Sequence, residues 1–310
     1  MFGGGLVMAS QDTMNLLQFV QRFATEDACE AHLFVLKWPQ GFRCANCEHE
    51  KYYAIKTRRL TLFECKACGY QTTVTVRTIM EKSHTSLNKW FVAIFLAAHD
   101  KRGVSATLIA REVDVSYKTA WLMLHKIRKA MANRDAAYQL AGIVELDESY
   151  FGAPAEGGKR GRGTDKAKVV IGLSLNKQGH PLFVKMQVVA DLTGATLLDF
   201  TKKCIKPGTV IHSDGFRSYN ALVEPDYTHR PLAFDLKKHP DHLKWLHTIL
   251  SNAKAFIAGT YHGLDTKHLP AYLNEFSYRF NRRRFKGEQF NRLLHCCCLS
   301  RSITFSELTA

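Results

Sequence analysis

The sequence predicts a multidomain α+β chain, and three observations predict it. Two Cys-x-x-Cys pairs, Cys44/Cys47 and Cys65/Cys68, stand 17 residues apart. Residues 84–135 hold apolar side chains at helical spacing. Residues 141–230 then change to β-rich runs broken by turns. A length of 310 residues accommodates two or three domains with a sizeable buried core. The boundaries that follow are N-terminal helices over 1–40, a metal ribbon over 41–80, a helix-turn-helix over 84–135, an α/β domain over 141–285 and a C-terminal tail over 286–310.

Residues 14–37 read as two short helices. Asn15 to Phe23 has the right apolar spacing, Thr25 is a candidate N-cap for a second helix, and Pro39 with Gly41 ends it. Met8 and Met14 are alternative starts, so the first residues read as an extension outside the fold. Cys29 lies inside the second helix and reads as a small buried residue.

Each cysteine pair puts two sulfurs on one side of a turn. Two such pairs at this separation match a structural Zn²⁺ site, closed by four thiolates with no position left for water. Some 35 residues bury little core alone, so metal binding contributes to folding. Tyr52, Tyr53, Lys56, Arg58 and Arg59 make the intervening hairpin basic and aromatic, which suits either phosphate contact or a solvated face.

Ala106–Val113, a tight turn, and a helix opening with Ser116-Tyr117-Lys118-Thr119 fit a helix-turn-helix. Its second helix would present Tyr117, Lys118 and Thr119 to bases or phosphates. Ala120, Leu122, Leu124 and Ile127 mostly face inward. An ordinary helical hairpin is the other reading.

The β-rich region offers strands at 143–146, 169–175, 182–189 and 209–212. A hairpin turn falls at Asn176–Gly179 and a helix at 195–203. Two of these strands end in acids: Glu145-Leu146-Asp147-Glu148 and, 67 residues after Asp147, His212-Ser213-Asp214. Were these strands adjacent and parallel, the carboxylates of Asp147 and Asp214 would lie within a few ångströms. Like charges so close coexist only with a cation or a proton between them. Carboxylate oxygens suit Mg²⁺, or Mn²⁺ in its place, and such ions activate a hydroxyl for attack on a phosphodiester. Gly157-Gly158-Lys159-Arg160-Gly161-Arg162-Gly163 places Lys159, Arg160 and Arg162 among glycines. It reads as a DNA-contacting loop or as a solvated hairpin. Helices return at 241–258 and 268–281, the latter with a basic end in Arg279, Arg282, Arg283 and Arg284. Cys296-Cys297-Cys298 has no assigned chemistry.

Composition bears on partners and compartment. Lys and Arg number 43 against 28 Asp and Glu, a formal charge of +15 that favours polyanions and above all nucleic acid. The longest apolar run, Trp90–Ala98, is too short for a membrane span. The opening Met1–Met8 lacks the basic and long apolar stretches of a signal peptide. Nine cysteines in a chain so read point to a reducing cytoplasm, with thiols for metal or burial rather than disulfides.

The succession of paired cysteines, helix-turn-helix, Asp147-Glu148-Ser149-Tyr150-Phe151-Gly152, His212-Ser213-Asp214-Gly215-Phe216-Arg217, Gly259-Thr260-Tyr261-His262-Gly263 and Tyr272-Leu273-Asn274-Glu275-Phe276-Ser277-Tyr278-Arg279-Phe280-Asn281 resembles bacterial insertion-sequence transposases of the DDE class, in the ISXO2-like branch with an N-terminal zinc ribbon. The resemblance covers roughly residues 14–285. It implies an RNase H-like catalytic domain with a mixed sheet. It also implies Mg²⁺-dependent cleavage of transposon ends, transfer of the freed 3′-hydroxyl to target DNA, double-stranded DNA as partner, a homo-oligomer on DNA, and a nucleoid-associated cytoplasmic location. Asp147 and Asp214 would be the first two acids. The third position departs from the usual Glu. Counting back from Gly259-Thr260-Tyr261-His262, where relatives place Glu and then Lys seven residues on, gives His247 and Lys254. Imidazole can ligate a divalent ion, and Lys254 would hold a phosphate as a point charge. Asn252 is a weaker candidate, and Glu275 reads as an ion-pair partner of Arg279. Because of His247, a decayed or repurposed DNA-binding protein stands as the alternative, and a nuclease that cuts without joining as a third reading.

Overall fold

The computed structural model describes residues 14–152, 164–223, 225–233, 237–239, 241–285 and 287–309. The chain divides into two compact units. One runs to Met131 and takes in the chain from Arg284 onward; the other is Ala132–Arg283.

The first unit begins with α1 (Leu16–Arg22) and α2 (Glu26–Lys37). Asn15 and Gln18 form a reciprocal capping box on α1, and Thr25 caps α2 through the Ala28 N–H. A three-stranded antiparallel sheet follows, β1 (Tyr52–Ile55), β2 (Leu62–Cys65) and β3 (Gln71–Thr72). An aromatic cluster joins it to the end of α2, with Phe34 against Phe63 at 5.2 Å and Phe42 against Tyr52 at 4.8 Å between ring centres. Then come α3 (Leu87–His99), α4 (Ala106–Glu112) and α5 (Tyr117–Ala136), the last running into the second unit.

The segment expected as a C-terminal tail is instead helical. It holds α9 (Gln289–Leu299), which packs on α3, and the short α10 (Phe305–Thr309). Its apolar residues Phe290, Leu293, Leu294, Cys296 and Cys297 are buried, and Phe290 meets Phe19, Phe91 and Phe95. The two buried cysteines of the triplet therefore serve as small apolar side chains.

The second unit is a sheet with helices on both faces. Its strands are β4 (Ile143–Phe151), β5 (Ala167–Leu175), β6 (Pro181–Val189), β7 (Thr209–Ser213) and β8 (Tyr227–Pro231), in spatial order β6-β5-β4-β7-β8. Strands β4, β5 and β6 pair antiparallel, whereas β4–β7 and β7–β8 are parallel. This mixed sheet is the RNase H-like arrangement implied by the resemblance. The hairpin turn sits where expected, closed by Asn176 and His180, with Gly179 at φ +78°. Strand β8 was not anticipated: Tyr-Thr-His-Arg-Pro has no apolar alternation, and it lies at the sheet edge where a proline is tolerated.

On one face of the sheet, Ile171, Leu173 and Val184 pack against α7 (Lys244–Thr260) and α8 (Leu269–Asn281) through Leu246, Ile249, Leu250 and Leu273. On the other, Val144, Leu146, Val170 and Ile211 pack against α6 (Gly194–Cys204) and a 3₁₀ turn at Arg217–Leu222. Gly194 makes the last contact possible, because a Cβ there would stand 2.7 Å from that of Ala221.

Candidate functional site

The four cysteines converge. Cys47 Sγ lies 3.5 Å from that of Cys65 and 3.3 Å from that of Cys68, and the Cys44 and Cys68 sulfurs are 3.6 Å apart. Sulfurs at about 2.3 Å around one zinc stand about 3.8 Å apart, whereas a disulfide requires about 2.0 Å. The spacing is therefore that of a tetrahedral thiolate site.

The two pairs have the same backbone. Glu48 N–H bonds the Cys44 carbonyl and Cys44 N–H bonds the His49 carbonyl; Gly69 and Cys65 repeat this with Tyr70. Gly69 turns the chain at φ +69°, and Glu48 does so at φ +60°, where glycine would be the easier residue. Two equivalent turns thus aim four sulfurs at one point. Among the described residues, this is the group of three or more potential ligands whose atoms all lie within 4.8 Å of one another.

Helices α4 and α5 are joined by a tight turn. Asp114 adopts φ +50°, Val115 N–H reaches back to the Ala110 carbonyl, and the Ser116 side chain accepts from Thr119 N–H to start α5. Tyr117 and Lys118 are exposed at this N-terminus. Thr119 is half-buried, and its hydroxyl lies 3.0 Å from that of Ser116, so the cap occupies it. Lys159, Arg160 and Arg162 lie outside the described residues.

Strand β4 continues past the acids that were expected to end it. Asp147 sits mid-strand, its backbone opposite Ile171 of β5. On the other side Leu146 pairs with Ser213, the last residue of β7, so Asp147 and Asp214 follow in step on neighbouring parallel strands. Beyond Asp214 the chain turns, with the carboxylate accepting from Phe216 N–H at 2.9 Å. Tyr219 in that turn is fully buried and donates its hydroxyl to Glu148 at 2.8 Å, tying the Asp214 segment to β4 beneath the sheet.

His247 approaches from the opposite layer. It stands in the first turns of α7, and its Nε2 lies 3.2 Å from Asp147 Oδ2. The Asp147 side chain is 12% exposed and that of His247 41%. The hydrogen bond to Asp147 holds the imidazole above its usual value, against partial burial that opposes it. Lys254, two helical turns on, has its ammonium 5.7 Å from the Phe151 ring centre; partial burial, then the like charge of Lys166, holds it below the usual lysine range.

Glu145 shares the Asp147 face of β4. It is buried, and burial raises its carboxyl above the usual range. One oxygen accepts from Leu246 N–H at 3.1 Å. Sequence reasoning gave Glu145 no role, because its partner is 101 residues away. Glu275 is buried and committed to Arg279 at 2.7 Å and to the Tyr261 hydroxyl, which makes it structural.

The donor chemistry here suits a hard divalent cation: two carboxylates on adjacent strands and one imidazole. A buried Asp147 requires a positive partner, and His247 provides part of it. The three groups are not gathered within 4.8 Å as the sulfurs are.

A four-cysteine ribbon in one unit and, in the other, a mixed sheet that sets Asp147 of β4 in step with Asp214 just past β7 are the features that the resemblance to DDE-class transposases implies. Two family matches give the branch. Residues 139–281 match the ISXO2-like transposase domain and residues 24–71 the transposase zinc-ribbon domain, so the chain belongs to the insertion-sequence transposases that carry both. It is 27% identical over 224 residues to a protein in transposable element ISH50 of Halobacterium salinarum, covering 67% of this chain and 73% of that one. It is 25% identical over 103 residues to a transposase-like protein of Haemophilus influenzae, covering 33% and 83%. Among solved structures it matches the Mos1 transposase paired-end complex with left transposon end, at a TM-score of 0.27 and 11% identity over 67% of this chain and 77% of that one. No described helix is long and apolar enough to cross a membrane.

Proposed function

We propose that this chain cuts the ends of its own mobile element and joins the freed 3′-hydroxyls to target DNA, with Asp147, Asp214 and His247 holding the reactive metal. The observation that carries this reading is the placement of Asp147 beside the end of β7, with His247 Nε2 3.2 Å from its carboxylate. Mg²⁺ or Mn²⁺ bound there would act as a Lewis acid on a hydroxyl and on the leaving oxygen of a phosphodiester. Asp147 and Asp214 supply the oxygen donors, and the buried sheet beneath keeps their backbones fixed. His247 supplies a nitrogen donor and balances Asp147 until a metal replaces that role. Lys254 shares a helix face with His247 and offers an ammonium to a phosphate.

DNA capture falls to the first unit. Tyr117 and Lys118 stand exposed at the start of α5, the ribbon carries exposed Lys51, Lys56 and Arg58, and the excess charge of +15 favours a polyanion. Joining two ends to one target calls for at least two active sites, hence a homo-oligomer assembled on DNA.

The test is strand cleavage of a labelled transposon end with Mg²⁺ or Mn²⁺. Asp147→Ala and Asp214→Ala are expected to reduce cleavage to background, and His247→Ala to lower it about 10- to 100-fold. Full cleavage by either Asp variant would overturn the assignment. A wild-type chain that binds ends but never cuts them would mark a repurposed DNA-binding protein.

A further inference from the structure

We infer that Glu145 is a positioning residue: it fixes the start of α7 so that His247 reaches Asp147. The inference rests on the metal-site reading above and adds a residue to which that reading gave no part.

Helix α7 begins in an unusual way. Its N-cap is Leu243, an apolar side chain at φ +54° that can cap nothing. No acidic residue stands in its first turn. The third helical residue, Leu246, has a backbone N–H of the kind an N-cap side chain ordinarily satisfies. Its side chain is fully buried in the core shared with β5 and β6, so water is a poor substitute partner. The acceptor is Glu145 Oε2 at 3.1 Å, from the middle layer of the fold. A carboxylate at this end of a helix also meets the positive end of its dipole.

The geometry links two consecutive residues of α7 to two residues of one β4 face. Leu246 is held by Glu145 through its N–H, and His247 reaches Asp147 through its ring. Residues 145 and 147 project from the same side of the strand, so the first contact sets the height and rotation at which the second is made. Removing the acceptor leaves a buried donor unsatisfied, and the first turn of α7 must then shift or fray to find another partner. The nearest member of that turn to the reactive centre is His247. Glu145 could instead be read as a metal ligand itself, being buried and two residues from Asp147. Its oxygen is already committed to the helix, however, and a glutamine could make the same bond.

The full-length, zinc-loaded protein with Mn²⁺ as probe separates these readings. Mn²⁺ affinity is measured by paramagnetic resonance, and the His247 ring nitrogens by ¹⁵N-histidine spectra assigned with His247→Gln. Glu145→Gln is expected to bind Mn²⁺ within about threefold of wild type with the His247 ring signals in place. Glu145→Leu is expected to weaken Mn²⁺ about 10- to 100-fold, the range for residues that orient ligands, and to shift the ring signals. If the Leu variant does not fold, Glu145→Asp, one methylene too short to reach Leu246, carries the same comparison. Glu145→Gln losing Mn²⁺ as fully as Asp147→Ala would overturn the positioning role in favour of direct ligation. Unchanged affinity and ring signals in Glu145→Leu or Glu145→Asp would remove the role altogether. Wild-type affinity in Asp147→Ala would instead sink the metal-site reading, while the ring signals would still decide whether Glu145 sets His247.

Discussion

The chain carries two candidate metal sites built on opposite plans. In the ribbon, ligands three residues apart on two equivalent turns already crowd together, with sulfurs 3.3–3.6 Å from one another. In the second unit, Asp147, Asp214 and His247 come from β4, the end of β7 and α7; His247 reaches Asp147 at 3.2 Å, but the three are not all gathered within 4.8 Å of one another. Local turns are enough to shape the first site. The second depends on the sheet register, on the Tyr219–Glu148 tie and on the Glu145 contact with α7. A closed sulfur site holds its metal and leaves no room for a substrate oxygen. A looser oxygen and nitrogen site can admit one. The contrast is what a structural ion and a reactive ion each require.

Removing zinc should break the comparison most severely. With chelator, or in Cys65→Ser, the ribbon is expected to lose amide protection over residues 42–72 in hydrogen exchange. The strands of the second unit are expected to stay protected, because only the ribbon depends on a metal for its core. Loss of protection in both units together would show that the sites are not independent.

A second contrast lies in two histidines and concerns pH. His247 is held up by Asp147, whereas His32 sits edge-on to Phe23 and Phe91, with Nε2 buried and without a hydrogen-bond partner among the described residues, and burial lowers it to about 4. Its unfolded value is near 6.5, so between pH 6.5 and 4 the unfolded chain binds the extra proton and folding loses stability as pH falls. Thermal melting of the first unit should therefore decline over that window. His32→Phe should flatten part of the decline, and an unchanged slope would remove His32 as its cause.

The smallest effect expected sharpens the equivalence of the two cysteine turns. Glu48 holds a left-handed conformation that Gly69 holds without strain. Glu48→Gly should stabilise the zinc-loaded ribbon by no more than about 1 kcal/mol, since relief of strain is partly offset by the added freedom of the unfolded chain. Melting of the zinc-loaded protein measures it, and a marked loss would mean that the Glu48 side chain has a role of its own.

Much of this was legible in the sequence, for reasons specific to each element. Cysteine spacing alone placed the ribbon ligands, since those turns are local. Runs of Val and Ile marked β5 and β6, and the acids on β4 and after β7 stood out against apolar neighbours. His247 emerged only through the resemblance, because a histidine in a helix has no spacing signal of its own. Glu145 stayed hidden because a cap supplied from another layer leaves no trace near the helix it serves. Strand β8 was missed for want of alternation. Helix α9 was missed because three adjacent cysteines do not look like the inner face of a helix.

One side chain outside both sites has a consequence for the molecule in a crowded cell. Asn281 ends α8, and its amide takes the Val184 N–H at 2.7 Å and gives a bond to the Val184 carbonyl at 3.0 Å. It thereby fills a place on β6 that another strand would otherwise occupy, and β6 is an open border of the five-stranded sheet. Asp135 and the Tyr138 hydroxyl hold the same amide in position. The arrangement works as a sentry against sheet-to-sheet sticking between molecules.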